Sequence, residues 1–243
     1  MKARLDKIVL EKGFASSRER AQALIMEGKV FVSGMPATKA GSMFEPNIAI
    51  EIKGCDMPYV SRGGLKLEAA LDHFGVSPEG KAAMDVGAST GGFADCMLQR
   101  GAKKVYCVDV GYGQLAWKIR QDPRVVLIER TNFRYIENEK IPEPIDLAVI
   151  DVSFISLTLV VPKALEFLKQ DGEIIALIKP QFEVGKGEVD KGGIVRDELK
   201  RQVAVEKIQM HFENLSLQDI GTIQSPILGQ KGNAEYLIYA RRG

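Results

Sequence analysis

Met84-Asp85-Val86-Gly87-Ala88-Ser89-Thr90-Gly91-Gly92-Phe93 decides how this chain is read. An acid near the end of an apolar run, then Gly87, then the Gly91-Gly92 pair, spell a buried strand, a tight turn and a helix start. Glycine in such a turn keeps a Cβ from holding the backbone away from a ligand, or permits a positive φ. The spacing is G-x-x-x-G-G, not the G-x-G-x-x-G of dinucleotide binding, which disfavours a nicotinamide oxidoreductase. An acid two residues before the first glycine suits a cofactor with a charged amino-acid end better than one with a pyrophosphate.

Downstream, strand and helix patterns alternate. Apolar runs at 104–110, 125–129, 145–151 and 173–179 read as strands, and 93–100, 113–120 and 157–168 as helices, with Asp171-Gly172 a turn. A last helix from about 197 to 214 precedes two strands, 221–225 and 234–240, short enough together to be an antiparallel edge pair. Near-continuous apolar strands separated by helices predict an α/β fold with a mostly parallel sheet covered on both faces. Ligands of such sheets bind outside the carboxyl ends of the strands. Here those ends carry Asp85, Asp109, Asp151 and Lys179, which chain geometry sends to one edge. Asp109, at the end of the strand after Asp85, stands where an acid accepts hydrogen bonds from a ribose diol and would repel a 2′-phosphate.

Upstream lies a smaller module. Leu5, Ile8 and Val9 form the stripe of a short helix within 4–14. Ser16-x-x-Glu19 is a capping box for a second helix with Ala21, Leu24 and Ile25 facing inward, stopped at Gly28. Val30-Phe31-Val32 followed by Ser33-Gly34 reads as a strand and turn, and Ile48, Ile50 and Ile52 alternate as another strand. The polar stretch Lys53 to Pro58 is the predicted linker, giving domains at 1–58 and 59–243. Beyond it, Leu67, Ala70 and Leu71 form a helix stripe opened by Gly63-Gly64. Lys66 lies one residue off that stripe, where a lysine is normally a solvated charge.

The chain has 243 residues, 45% apolar and 27% charged, which is ordinary for a soluble globular protein of one large and one small domain. Its net charge is only +1, yet residues 1–40 carry eight Lys/Arg against four Asp/Glu. A basic end on a near-neutral body has the form of a nucleic-acid-binding appendage. Cys55, Cys96 and Cys107 lack metal-type or CxxC spacing and read as reduced thiols of a cytoplasmic protein. With His73 and His211 the only histidines, a His-rich metal site or a Ser-His-Asp triad is disfavoured, and no metal is expected. No signal peptide is visible, and no apolar run approaches the roughly 18 residues needed to span a bilayer.

Arg4-Leu5-Asp6, Ser16-Ser17-Arg18 and Gly28-Lys29-Val30-Phe31-Val32-Ser33-Gly34 resemble the S4 RNA-binding domain. Added to these are Ser61-Arg62-Gly63-Gly64-x-Lys66-Leu67, the Asp85–Phe93 stretch and Val108-Asp109-Val110-Gly111-Tyr112-Gly113-Gln114-Leu115. Asp151-Val152-Ser153-Phe154-Ile155-Ser156-Leu157 and Lys179-Pro180-Gln181-Phe182-Glu183 complete the set. Nearly end to end, the chain resembles the TlyA family. Its members are often labelled haemolysin A but are S-adenosylmethionine-dependent ribosomal RNA 2′-O-methyltransferases. Their catalytic domain is FtsJ-like and Rossmann-like. The resemblance implies methyl transfer to a cytidine ribose of large-subunit RNA, in some members also of small-subunit RNA, with ribosomal RNA or a ribosomal subunit as partner.

The family's Lys-Asp-Lys-Glu tetrad carries over to Lys66, Asp151, Lys179 and Glu235, with Glu183 competing for the last place. A ribose hydroxyl is a poor nucleophile at neutral pH, so something must take or polarise its proton. Lys179 is the candidate acceptor, its amine held by Asp151 and Glu235, with Lys66 beside them. For the cofactor, Asp85 and Gly87, Ala88, Ser89, Thr90, Gly91, Gly92 and Phe93 are expected at the methionine part. Asp109 is expected at the ribose, and Asn132 and Phe133 at the adenine. Arg4, Arg18, Arg20 and Lys29 are the S4 candidates for phosphate, with Arg62 in the linker helix a further one. Lys186, Lys191 and Arg196 are further candidates in a glycine-rich loop at 185–196 that would order on RNA. Two alternatives are weaker. A vestigial, purely RNA-binding fold is opposed by all four tetrad positions. A membrane-lytic protein is opposed by the absence of a spanning segment or a large Lys-rich amphipathic helix.

Overall fold

The computed structural model describes residues 2–15, 17–53, 57–185 and 187–243. It divides into two units, Met1–Asp56 and Met57–Gly243. The first contains β1 (Ala3–Arg4), α1 (Leu5–Glu11), α2 (Arg18–Met26), β2 (Val30–Val32), β3 (Met35–Pro36), β4 (Met43–Phe44) and β5 (Ile50–Ile52). β2 lies between β3 and β5, antiparallel to both, and β1 pairs with β4. The predicted stripes meet in one core of Leu5, Val9, Ala21, Leu24, Ile25, Val30 and Val32. The cap of α2 falls one residue later than expected. Ser17 Oγ accepts the Arg20 N–H at 3.1 Å, and Ser16 lies outside the described residues, as do residues 54–56 of the expected linker.

The second unit runs α3 (Gly63–Phe74), β6 (Ala82–Val86), α4 (Gly92–Gln99), β7 (Lys104–Val108), α5 (Trp117–Arg120) and β8 (Val125–Ile128). It continues with β9 (Ile145–Ile150), α6 (Val161–Phe167), β10 (Leu168–Ile178), α7 (Pro180–Glu183), α8 (Glu198–Asn214), β11 (Leu217–Gln224) and β12 (Tyr236–Arg242). Among the described residues its strands form a seven-stranded sheet in the order β11-β12-β10-β9-β6-β7-β8. β10, β9, β6, β7 and β8 are parallel, and β12 and β11 close one edge antiparallel. All five residues of β6 are buried, because both faces are covered. Met84, Val86, Ile150, Ile174 and Ile178 pack on one side with Phe167 and Phe212. Ala83, Leu147, Val149, Ile175 and Leu177 pack on the other with Leu67, Leu71 and Met97.

Three expected elements change form, each for a local reason. The helix expected over 113–120 shrinks to α5, because carboxylates take the backbone before it. Asp109 accepts the Gly111 N–H at 2.6 Å and Glu129 the Gly113 N–H at 2.7 Å. The helix expected over 157–168 breaks into a 3₁₀ turn, Leu157–Leu159, and α6, with Pro162 in the first turn of α6. Asp171-Gly172 lies inside β10, where the register shifts between Leu168 and Glu173.

From β6 the chain moves outward to β7 and β8, then crosses back to β9 on the other side of β6. The connections leave in opposite directions between β6 and β9, so a crevice opens there at the carboxyl ends. Gly87 follows β6 and Asp151 follows β9 at that point. The Asp151 N–H bonds Val86 O at 2.9 Å, and a Cβ on Gly87 would run into the Asp151 carbonyl. Close approach of two strand ends, together with a φ of +87°, is what requires glycine there.

Candidate active site

Two cavities meet at this crevice. One, of about 440 Å³, is lined by Gly87, Ser89, Asp109, Asn132 and Phe133, and also by Val110, Gln114 and Thr131. The other, of about 260 Å³, is lined by Lys66, Glu235, Lys179, Arg62 and Gln181. Asp151, Ser153 and Phe154 line both. Phe154 is 89% exposed, holds a φ of +64° and faces Phe182 at 5.0 Å between ring centroids.

Two ion pairs occupy the smaller cavity. Lys179 Nζ lies 2.5 Å from Asp151 Oδ1 and donates to Ser153 Oγ at 2.9 Å. Lys66 Nζ lies 2.5 Å from Glu235 Oε2, so the expectation that Glu235 holds the Lys179 amine is corrected: its partner is Lys66. Lys66 is buried, not a solvated helical charge. Gly229 makes room for the acid, since a Cβ there would overlap the Glu235 carboxylate. Glu183 is buried elsewhere, accepting from Leu157 N–H at 2.8 Å and Ser156 Oγ at 2.6 Å.

The glycine-rich stretch divides. Gly87 and Ser89 reach the larger cavity. Asp85, Ala88, Thr90, Gly92 and Phe93 line a cavity of about 100 Å³ beside it, together with Ser61 and Asp151. Gly91 reaches none of these, because its Cα side packs against Leu115. Asp85 Oδ2 accepts the Ala94 N–H at 3.0 Å, while its buried Oδ1 has no hydrogen-bond partner. Burial first, then the charge of Asp151, and to a lesser degree that of Asp109, push the Asp85 carboxyl up to about 8; the bond from Ala94 opposes them. Asp109 Oδ2 accepts the Ser89 N–H at 2.7 Å and fixes the turn. Asn132 Oδ1 caps the next turn by accepting the Arg134 N–H at 3.1 Å, and Phe133 lines the cavity while packing against Phe167.

The basic candidates are mostly engaged. Arg4 and Arg18 both bond the fully buried Asp6, whose carboxyl is held well below the usual range, first by Arg4. Arg20 and Lys29 lie 3.8 and 2.7 Å from Glu27. Arg196 meets Asp190 at 3.5 Å, Lys191 is exposed, and Lys186 lies outside the described residues. The 185–196 loop is tied down at its far end, where Asn233 accepts the Val195 N–H at 3.1 Å and donates to Gly193 O at 2.9 Å. Sequence reasoning gave no role to Ser153 and Phe154. Their signal was their place in the Asp151–Leu157 motif, two and three residues after Asp151.

A parallel sheet closed by an antiparallel strand pair, with a ligand cavity at its switch point and two lysine–carboxylate pairs beside it, defines an FtsJ-like methyltransferase. The model of that family matches residues 59–242, and that of the S4 domain matches residues 3–47. The chain belongs to the TlyA family. It is 43% identical over 99% of its length, and 90% of the relative's, to the 16S/23S rRNA (cytidine-2′-O)-methyltransferase TlyA of Mycobacterium tuberculosis. It is also 43% identical over 97% of its length, and 98% of the relative's, to Hemolysin A of Brachyspira hyodysenteriae. A solved structure carrying the hemolysin name, from Streptococcus thermophilus, covers 99% of the chain at 41% identity and a TM-score of 0.77, with 88% of that chain matched. No helix among the described residues is long and apolar enough to cross a membrane, and no group of His, Cys, Asp and Glu among them could hold a metal ion.

Proposed function

We propose that this chain methylates the 2′-hydroxyl of a cytidine in ribosomal RNA, with S-adenosylmethionine in the larger cavity and the target ribose in the smaller one. The observation that carries this reading is the junction. Asp151 and Ser153, the two partners of the Lys179 amine, line both cavities at once.

The larger cavity suits the cofactor. Its volume lies in the usual range for a small-molecule site. Each Asp109 oxygen accepts one backbone N–H and keeps a lone pair free for a ribose diol. Phe133 offers an apolar wall to a purine, and Asp85, with its unpaired oxygen, lines the small adjoining cavity on the methionine side. Bound there, the sulfonium supplies an electrophilic methyl group. The chain's own residues do the rest. Lys179 accepts the 2′-hydroxyl proton, Asp151 holds the resulting ammonium, and the Lys66–Glu235 pair walls the ribose site from the other side. Phe154, exposed at the shared rim, gives a base a face to stack on. The basic, half-exposed Arg4 and Arg18 of the S4 unit serve phosphate.

Methyl transfer from labelled S-adenosylmethionine to ribosomal subunits tests the reading. Lys179→Ala is expected to lose roughly 10²- to 10⁴-fold in rate while still binding the cofactor. Unchanged transfer by Lys179→Ala would sink it.

A further inference from the structure

We propose that Ser153 is a positioning residue that aims the Lys179 lone pair at the 2′-hydroxyl; this rests on the function proposed above. A lysine amine has three directions beyond its Cε bond. In the neutral amine two carry N–H and one carries the lone pair. One of these directions is taken by a hydrogen bond and a second is favoured by charge. Ser153 Oγ accepts from Nζ at 2.9 Å, and Asp151 Oδ1, 2.5 Å away but not in hydrogen-bond geometry, draws a second N–H to its side as an ion-pair partner. Both groups line the cofactor cavity as well as the lysine cavity, so the third direction is left for the substrate oxygen.

Asp151 alone would not fix that direction. Its contact lacks hydrogen-bond geometry, so without Ser153 the amine turns about its Cε–Nζ bond and the lone pair sweeps a cone. With the Ser153 acceptor, rotation is stopped. The ammonium of the resting ion pair first gives one proton to solvent; the proton leaving O2′ then goes to the neutral Nζ, re-forming the ammonium. The oxygen keeps the O–H electron pair for its bond to the methyl carbon, and the methyl–sulfur pair returns to sulfur. The lysine stem supports the same geometry, since its side chain is only 11% exposed and leaves the head little room to wander.

Two variants and two readouts test this. Ser153→Ala removes the acceptor, whereas Ser153→Thr keeps a hydroxyl at the same place. In single-turnover methyl transfer at saturating cofactor and RNA, Ser153→Ala is expected to be roughly 10- to 100-fold slower, with binding of both unchanged and with Ser153→Thr recovering most of the rate. In the cofactor-free protein, ¹⁵N relaxation of the lysine side-chain amines is expected to show Lys179 Nζ rigid in the wild type and in Ser153→Thr, and mobile in Ser153→Ala. A wild-type rate in Ser153→Ala overturns the proposal, as does an equally rigid amine. Loss of cofactor or RNA binding alongside the rate also overturns it, by showing a structural role. Should the wild type methylate no ribose at all, the proposed function fails instead, and the relaxation experiment still reports whether Ser153 fixes the amine.

Discussion

Burial and the charge of Asp151 favour the protonated form of Asp85, and this has a measurable cost. Its carboxyl is pushed up to about 8, first by burial and then by Asp151. In the unfolded chain it ionises near the ordinary aspartate value of about 4. Between those values the folded protein holds a proton the unfolded one has released, so stability falls as pH rises through that window, by up to roughly 1.4 kcal/mol per pH unit. Asp85→Asn, neutral at every pH, is predicted to melt progressively higher than the wild type from about pH 5 to about pH 8. Thermal melts across that range check it, and a difference that does not vary with pH contradicts it. At this scale the sequence was only partly legible. Asp85, Asp109, Asp151 and Lys179 were visible at strand ends because strand ends are local features. The burial of Lys66 was not, because the acid that pairs with it lies 169 residues away and no helical periodicity encodes it.

Between elements, Glu183 of α7 fixes the loop that leaves β9. Its carboxylate takes the Leu157 N–H and Ser156 Oγ, with Lys207 Nζ at 3.4 Å behind it. Glu183→Ala leaves a buried N–H unpaired and is predicted to destabilise the protein by about 2 kcal/mol, as measured by denaturant unfolding. Glu183→Gln, which keeps one acceptor oxygen, is predicted to lose less; equal losses would show that packing matters more than the bonds. Gly87→Ala places a Cβ against Asp151 O at a φ of +87°. It is predicted to cost about 1–3 kcal/mol and to weaken cofactor binding, as read by thermal melts and calorimetric titration. Strands buried on both faces were legible as unbroken apolar runs. The helix start at 113 was not, because Asp109 and Glu129 capture its N–H groups from outside the segment.

At the scale of the whole molecule, the proposed function gives the two units separate work, one holding RNA and the other transferring the methyl group. Charge asymmetry along the sequence pointed to this division. It did not show that Arg4 also holds the buried Asp6 at the start of α1, or that Arg18 reaches the same acid once α1 and α2 pack. RNA binding through such half-exposed arginines is predicted to weaken steeply with salt, and Arg18→Ala to reduce the slope of log affinity against log salt by about one. An unaltered slope in binding titrations would remove Arg18 from the interface. The proposed function has the Lys179–Asp151 site act on a ribose oxygen of cytidine. Its most direct test is nucleoside analysis by mass spectrometry of ribosomal RNA from subunits of a strain lacking this protein, after treatment with the wild type or with Lys179→Ala. 2′-O-methylcytidine is expected with the wild type and none with Lys179→Ala. A methyl group on a base, or equal 2′-O-methylcytidine from both proteins, would contradict it.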